Sequence, residues 1–300
     1  MTQPLIAGRQ DRAIFGILLM LVAFFLFSFI DTGAKWLGLL GLSALQLSFM
    51  RYIGHFVIST ALIGKDGLSW SRFSSPHLGL VQLRGALLML STILNFIAVT
   101  FLPLTLTSTI LFSSPIIVCF LSWPLLGERV GPYRWAAIML GFTGVVIAIR
   151  PFDESFQWAM LLSLSGAFCF AGYSLLTRKL AGIVSVDVMQ FYSGAVGTIC
   201  LLPFAIYYWQ SPDRVMDWFI MIMLGVFGWA GHQLLTKAHN FAPASTLTPF
   251  GYSFILFLTC WSYLVFDNLP DRWTTTGGFL IVCSGLIIWG RELRNRPPAR

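Results

Sequence analysis

The sequence predicts an all-α integral membrane protein: ten transmembrane helices arranged as two inverted five-helix repeats. Three observations predict it. The first is composition. Of 300 residues, 57% are hydrophobic and 10% are charged, where a soluble domain has about a quarter charged. That is too little polar surface to coat a globule in water, so lipid is the solvent for most of the chain. The second is a series of ten apolar runs, each close to the roughly 20 residues a helix needs to cross a bilayer. The third is an internal echo. Shifted by 140 positions, Gly85, Ala98, Phe101, Pro103 and Ser113 fall on Gly225, Ala238, Phe241, Pro243 and Ser253. Phe112 falls on Tyr252 and Trp123 on Tyr263 in the same register.

Residues 1–12 form a basic tail, and the first span, 13–32, follows Arg9 and Arg12. This start mimics a signal peptide, but its apolar core is too long and no small-residue cleavage site follows. Span two, 43–63, carries Arg51, and span three, 78–100, carries Arg84 and Asn95. Span four, 104–124, opens after Pro103 and holds Ser113, Ser114 and Pro115 at its middle. A proline there removes a backbone hydrogen bond and kinks the helix. The polar hinge 127–131 leads to span five, 133–150, which closes a first repeat at 13–150. The second repeat, 157–290, holds spans 157–177, 187–208, 216–236, 243–265 and 274–290. A basic tail, 291–300, ends the chain.

The loop charges fix the orientation. With the N-terminus inside, thirteen basic residues lie in inner segments and four, Lys35, Arg150, Arg214 and Arg272, in outer ones. The positive-inside rule therefore places both termini in the cytoplasm. Tryptophans agree: Trp36, Trp123, Trp135, Trp158, Trp209, Trp218, Trp273 and Trp289 fall near span ends, as an interfacial belt requires. Five spans per copy is an odd number, so the second copy enters the membrane upside down. Inverted repeats place a solute site at the midplane between halves.

Several functions are excluded. The net charge of +7 is spread over loops and tails, with no dense basic patch for nucleic acid. The five cysteines sit in apolar runs and the four histidines form no HExxH, so no metal or cofactor is expected. No GxxxxGK[ST] loop is present for nucleotide-driven transport. No clustered acids mark an intramembrane enzyme.

Three stretches carry a family resemblance. They are Asp31–Gly38 (DTGAKWLG) with Gln46–Arg51 (QLSFMR), Asn95–Pro115 running on to Leu126–Gly131 (LGERVG), and Ala242–Tyr252 (APASTLTPFGY). They resemble the drug/metabolite transporter superfamily, in its EamA branch of ten-helix carriers. The second half departs from the pattern, with Asp267–Pro270 (DNLP) where the family often repeats an acidic residue. The resemblance implies a carrier of small organic solutes in the bacterial inner membrane, as monomer or homodimer. Members include exporters of amino acids and importers of vitamin-like compounds. The stretch Arg51–His55 is similar in texture to alphaproteobacterial riboflavin importers, so uptake of a flat vitamin such as riboflavin is expected, with export of amino acids or related metabolites as the alternative.

The candidate solute contacts are Arg51, Asn95, Ser113, Tyr173, Trp229, His232, Gln233 and Tyr252, with Pro115 and Pro249 as candidate helix breaks. Arg51 lies roughly 12 Å into its span, where a cation needs a partner or a cavity. It reads either as a solute contact or as an arginine bonded to backbone. Trp229 misses the belts, and with His232 and Gln233 it can stack on a flat ring and donate to its edge; ordinary helix packing is the competing account. Asp31 and Lys35 are spaced for an i,i+4 pair at a solvated helix end. No acid is expected deep in the bundle, which favours uniport, exchange or trapping over proton symport. Arg84 is expected to snorkel to the inner face, and Glu128 with Arg129 to form a loop ion pair.

Overall fold

The computed structural model describes residues 4–64, 77–126, 132–180, 183–242 and 247–294. Eleven α-helices follow in order among these residues. They are α1 (Pro4–Leu39), α2 (Ala44–Gly64), α3 (Leu78–Phe101), α4 (Leu104–Leu111), α5 (Ser114–Leu126), α6 (Pro132–Ile149), α7 (Ala159–Leu180), α8 (Val186–Tyr207), α9 (Val215–Phe241), α10 (Ser253–Phe266) and α11 (Arg272–Arg294). A 3-10 turn, Thr248–Tyr252, precedes α10. Eight stretches are long and apolar enough to cross a membrane. Two shorter apolar helices, Trp135–Ile149 and Phe250–Phe266, stand where spans five and nine are predicted.

Span four is broken where the proline predicts. Leu102 ends α3 in an extended conformation, and Pro103 opens α4. The chain then interrupts at Phe112 and Ser113, and α5 restarts with Pro115 in its first turn. There the missing N–H costs nothing, because the first turn of a helix has no intrahelical acceptor. The Ser114 hydroxyl donates to the Leu111 carbonyl, one of those that the break sets free. Span nine is interrupted in the matching place: Pro249 lies within the 3-10 turn ahead of α10. The Phe112 and Tyr252 rings, one at each interruption, stand 5.3 Å apart between centroids.

The outer surface of the bundle is apolar, and its interior mixes apolar with polar side chains. Ile14, Leu18, Val22 and Phe25 form an exposed stripe along α1, while Ser28, Thr32, Gln46, Ser48, Ser91 and Thr92 are buried. Lipid tails are as apolar as leucine, so association rests on close packing rather than on escape from water. The main pairings are α1 with α9, α3 with α7, α2 with α8 and α6 with α11; α2 also packs on α9 and α3 on α8. One apolar cluster joins α3, α4, α6, α7 and α11 through Ala98, Leu102, Ile110, Val145, Met160 and Ile281. A second joins α1, α2, α3, α4, α9 and α10 through Ile30, Leu47, Phe96, Leu104, Met221 and Phe254. Helices α2 and α9 touch backbone to backbone. A β-carbon added at Gly225 would stand 2.7 Å from the Gly54 Cα, so neither position admits a side chain.

Candidate functional site

Helix α2 carries a polar stripe at helical spacing: Arg51, His55 and Ser59, ending at Leu62 and Ile63. Opposite it, α9 presents Gly228, Trp229, His232 and Gln233, and α8 presents Asp187 and Gln190. Ser59, Leu62, Ile63, Asp187, Gln190, Trp229 and Gln233 line a cavity among these three helices. It lies at the end of the bundle where α1 begins. Between this cavity and Arg51 the His55 and His232 rings are 6.0 Å apart, and His232 is 6.3 Å from the Tyr173 ring and 5.0 Å from Phe27. Ser59 Oγ, His55 Nε2, Gln190 Oε1, Trp229 Nε1 and His232 Nε2 are buried with no hydrogen-bond partner. Buried polar atoms are nearly always satisfied; His55 and Gln190 stand within reach of each other, and the group is a candidate place for a polar guest.

Arg51 is half-buried. Its Nη1 donates to Thr92 Oγ1 at 2.6 Å, and Thr92 Oγ1 lies 2.9 Å from the Tyr52 hydroxyl. Its guanidinium sits 5.7 Å from the Tyr52 ring centre and 5.9 Å from that of Phe96. Gly228 leaves room for its stem: a β-carbon there would meet Arg51 Cγ and Nε at 3.4 Å.

Asp31 corrects the sequence reading. It is 8% exposed and lies within α1, about two turns before that helix ends, not at a solvated terminus. Asn95 stands beside its carboxylate and Arg51 is close enough to act on it through space. Lys35 does not pair with it: Lys35 Nζ donates to the Leu102 carbonyl at 2.6 Å. A buried carboxylate is therefore present, and the argument against proton symport loses its ground. Arg84 also departs from expectation. It is 3% exposed and reaches no surface. Nε donates to Thr177 Oγ1 at 2.7 Å, Nη1 to Ser193 Oγ at 2.9 Å and the Met189 carbonyl at 3.2 Å, and Nη2 to the Tyr173 hydroxyl at 2.8 Å.

Of the candidate residues, the structure brings Arg51, Asn95, Tyr173, Trp229, His232 and Gln233 into one region. Ser113 and Tyr252 lie instead at the paired helix interruptions, as do the backbones of Pro115 and Pro249. Ser113 is buried and its hydroxyl has no partner. Tyr252 is separated from His232 by a chain of rings running through Phe112, Phe254, Phe24 and Phe27. Glu128 and Arg129 lie outside the described residues. The sequence places Asp31 at a helix end and does not single out His55, Thr92 or Gln190, which the structure puts beside the candidate residues. The i,i+4 stripe from Arg51 through His55 to Ser59 was the available signal.

At the opposite end the helices are tied together. Gln46 Nε2 donates to the Gln210 carbonyl at 2.6 Å, and the Gln210 amide donates to Gln46 Oε1 at 2.9 Å. Trp36 Nε1 donates to Asp217 Oδ1 at 3.0 Å. Arg150 pairs with Asp271 at 2.9 Å. Asp271 is also bonded by the Thr274 amide at 2.7 Å.

A multi-pass helical bundle with a small cavity among α2, α8 and α9 fits a membrane carrier. The sequence pattern of the EamA-like transporter family matches residues 14–150 and, again, 157–290; the chain belongs to that family, and so to the transporters and not the enzymes. It is 27% identical over 272 residues to an S-adenosylmethionine uptake transporter of Rickettsia bellii, covering 89% of this chain and 92% of that one. It is 28% identical over 303 residues to a riboflavin transporter of Rhizobium johnstonii, covering 100% and 99%. It is 27% identical over 268 residues to the pseudopaline exporter CntI of Pseudomonas aeruginosa, covering 89% and 93%. A solved crystal structure shares the fold with a TM-score of 0.65 at 18% identity, over 94% of this chain and 99% of that one.

Proposed function

We propose that this chain is a secondary transporter of the bacterial inner membrane that works by alternating access, takes up a flat vitamin such as riboflavin, and keeps both termini in the cytoplasm. The observation that carries this reading is the group of buried, unpartnered polar atoms on His55, Trp229, His232 and Gln190 beside Arg51. The Trp229 indole with Gln190 and Gln233 at one cavity, and the His55 and His232 rings next to each other beside it, suit a planar heteroaromatic solute.

Alternating access rests on two inverted repeats, 13–150 and 157–290, and three contacts support them. Under the 140-residue shift, the bond from Ser284 Oγ to the Ala137 carbonyl, 2.6 Å, maps onto the approach of Gly144 to Gly277. The Phe112–Tyr252 ring contact maps onto itself. The pairing of α3 with α8 maps onto that of α9 with α2. The cavity at one end and the ties Gln46–Gln210 and Trp36–Asp217 at the other fit a carrier resting with a single face accessible.

The test is growth of a riboflavin auxotroph on low riboflavin. The chain should rescue it. Failure to rescue, with the protein shown to be in the membrane, favours the second reading, export of amino acids or related metabolites. Asp31 supports that second reading. With Arg51 it brings both charge signs into the bundle interior, as an amino-acid head group requires.

A further inference from the structure

The cavity among α2, α8 and α9 carries a charge pattern that the flavin reading leaves unused. Among the described residues that line it, Asp187 bears the one formal charge; the others bring a hydroxyl, two amides, an indole and two aliphatic side chains. Asp187 stands in the first turn of α8 and is exposed, so its carboxylate sits at the cavity's mouth. Among the described residues it has no ion-pair or hydrogen-bond partner. Neither Arg51 nor Arg84 lines the cavity. Further in, Ser59 and Gln190 are 4% and 2% exposed. Ser59 Oγ, Gln190 Oε1 and Trp229 Nε1 are buried there without a hydrogen-bond partner. A carboxylate in the first turn of a helix ordinarily serves the helix dipole. That role accounts for neither the cavity behind it nor the unsatisfied polar atoms that line it.

We propose that this cavity binds a positively charged group of the solute, with Asp187 supplying the counter-charge and Trp229 the aromatic wall. This rests on the reading of the cavity as the solute's site. It narrows that reading: among flat solutes the cavity favours those that carry a fixed positive charge and turns away anions. An indole attracts a cation held against its ring, and a carboxylate close by adds to the attraction where water is partly excluded. Gln190 Oε1 and Ser59 Oγ accept from N–H groups of the guest, and Trp229 Nε1 donates to a carbonyl on it. An anion meets the opposite conditions. The start of a helix favours negative charge, but the Asp187 carboxylate already holds that place at α8. No cation stands among the described lining residues to replace it. The cavity is small, so it takes one end of the solute, a charged ring or head group, and not the whole molecule.

The test is isothermal titration of purified full-length protein in lipid nanodiscs. The probes share one ring and differ in charge: 1-methylnicotinamide is a cation, nicotinamide is neutral and nicotinate is an anion. The expected result is 1-methylnicotinamide bound at least about tenfold more tightly than nicotinamide, with nicotinate weaker still. Added salt should shrink the preference, because an exposed carboxylate is screened. Asp187→Asn should bring the cation to within about twofold of nicotinamide, and Asp187→Glu should keep the preference. Riboflavin is titrated in parallel. Equal binding of the three probes to the unaltered protein, or binding of none, overturns the charge preference; if riboflavin binds in the same preparation, the flavin reading stands. That comparison needs no variant to fold. A cation preference without riboflavin binding supports the charged guest and sinks riboflavin. A preference that survives Asp187→Asn overturns the role given to Asp187.

Discussion

Arg51 and Arg84 are both arginines in the interior of a helical bundle, one on α2 and one on α3, and the structure treats them in opposite ways. Arg84 is closed off: hydrogen bonds to Thr177, Met189, Ser193 and Tyr173, with the Tyr173 ring 4.4 Å from its guanidinium. It ties α3 to α7 and α8, and all three of its nitrogens are engaged. Arg51 is half-buried, with one bond to Thr92 and aromatic rings on its flanks. Among the described residues its remaining N–H groups donate to no acceptor. The lesson is that burial of a charge does not by itself mark function. What separates a structural cation from a binding one is how much of its donor capacity the protein has already used.

That contrast can be broken by substitution. The largest effect is expected for Arg84→Ala, which leaves Ser193, Tyr173 and Thr177 facing a void. Hydrogen bonds to charged groups contribute about 1.5–3 kcal/mol each, so a loss of at least about 3 kcal/mol is expected, read as a lower melting temperature in detergent or as absence of monodisperse protein. Arg84→Ala protein that is as stable as the unaltered chain would erase the contrast. Next comes Arg51→Gln. Here folded protein should persist while solute uptake falls at least about tenfold, the equivalent of about 1.4 kcal/mol of lost interaction. A collapse of stability instead would place Arg51 with Arg84. Smaller effects are expected from Trp229→Ala and His232→Ala, each weakening uptake about three- to tenfold with folded protein unchanged, as loss of one aromatic contact implies. Unaltered uptake in both would remove the α9 contact from the site.

The smallest effect on uptake sharpens the comparison most. Tyr173 touches both regions, bonding Arg84 through its hydroxyl and facing His232 with its ring at 6.3 Å. Tyr173→Phe keeps the ring and removes the bond. It should cost about 1.5–3 kcal/mol of stability with transport kinetics unchanged. If uptake falls and stability does not, Tyr173 belongs to the solute through its hydroxyl.

Hydropathy made most of the helices legible. Helices stand at all ten predicted spans, and the interruption near Pro115 follows from the chemistry of proline alone. The site was legible where a residue type was out of place for its surroundings. Trp229 is a tryptophan away from the span ends, and Arg51 is a charge within an apolar run. Asp31 escaped for a physical reason. The hydropathy signal fades after residue 32, because Thr32, Lys35 and Trp36 are polar or amphipathic, yet the helix runs on to Leu39. It does so because Lys35 finds the Leu102 carbonyl and Trp36 finds Asp217. These partners come from α3 and α9, far away in sequence, so no local pattern reveals them. Arg84 escaped in the same manner, its acceptors lying about a hundred residues on, in α7 and α8.

The naked crossing of Gly54 and Gly225 bears on how cargo travels. The two helices approach most closely at these glycines, and a rocking motion about that crossing would displace the helices more with distance from it. Arg51 lies one helical turn from Gly54 and rests over Gly228, so a molecule held there sits at the still centre of the lever. Spin-label distances across α2 and α9 should accordingly change least beside Gly54 and most at Gln46 and Ile63 during turnover.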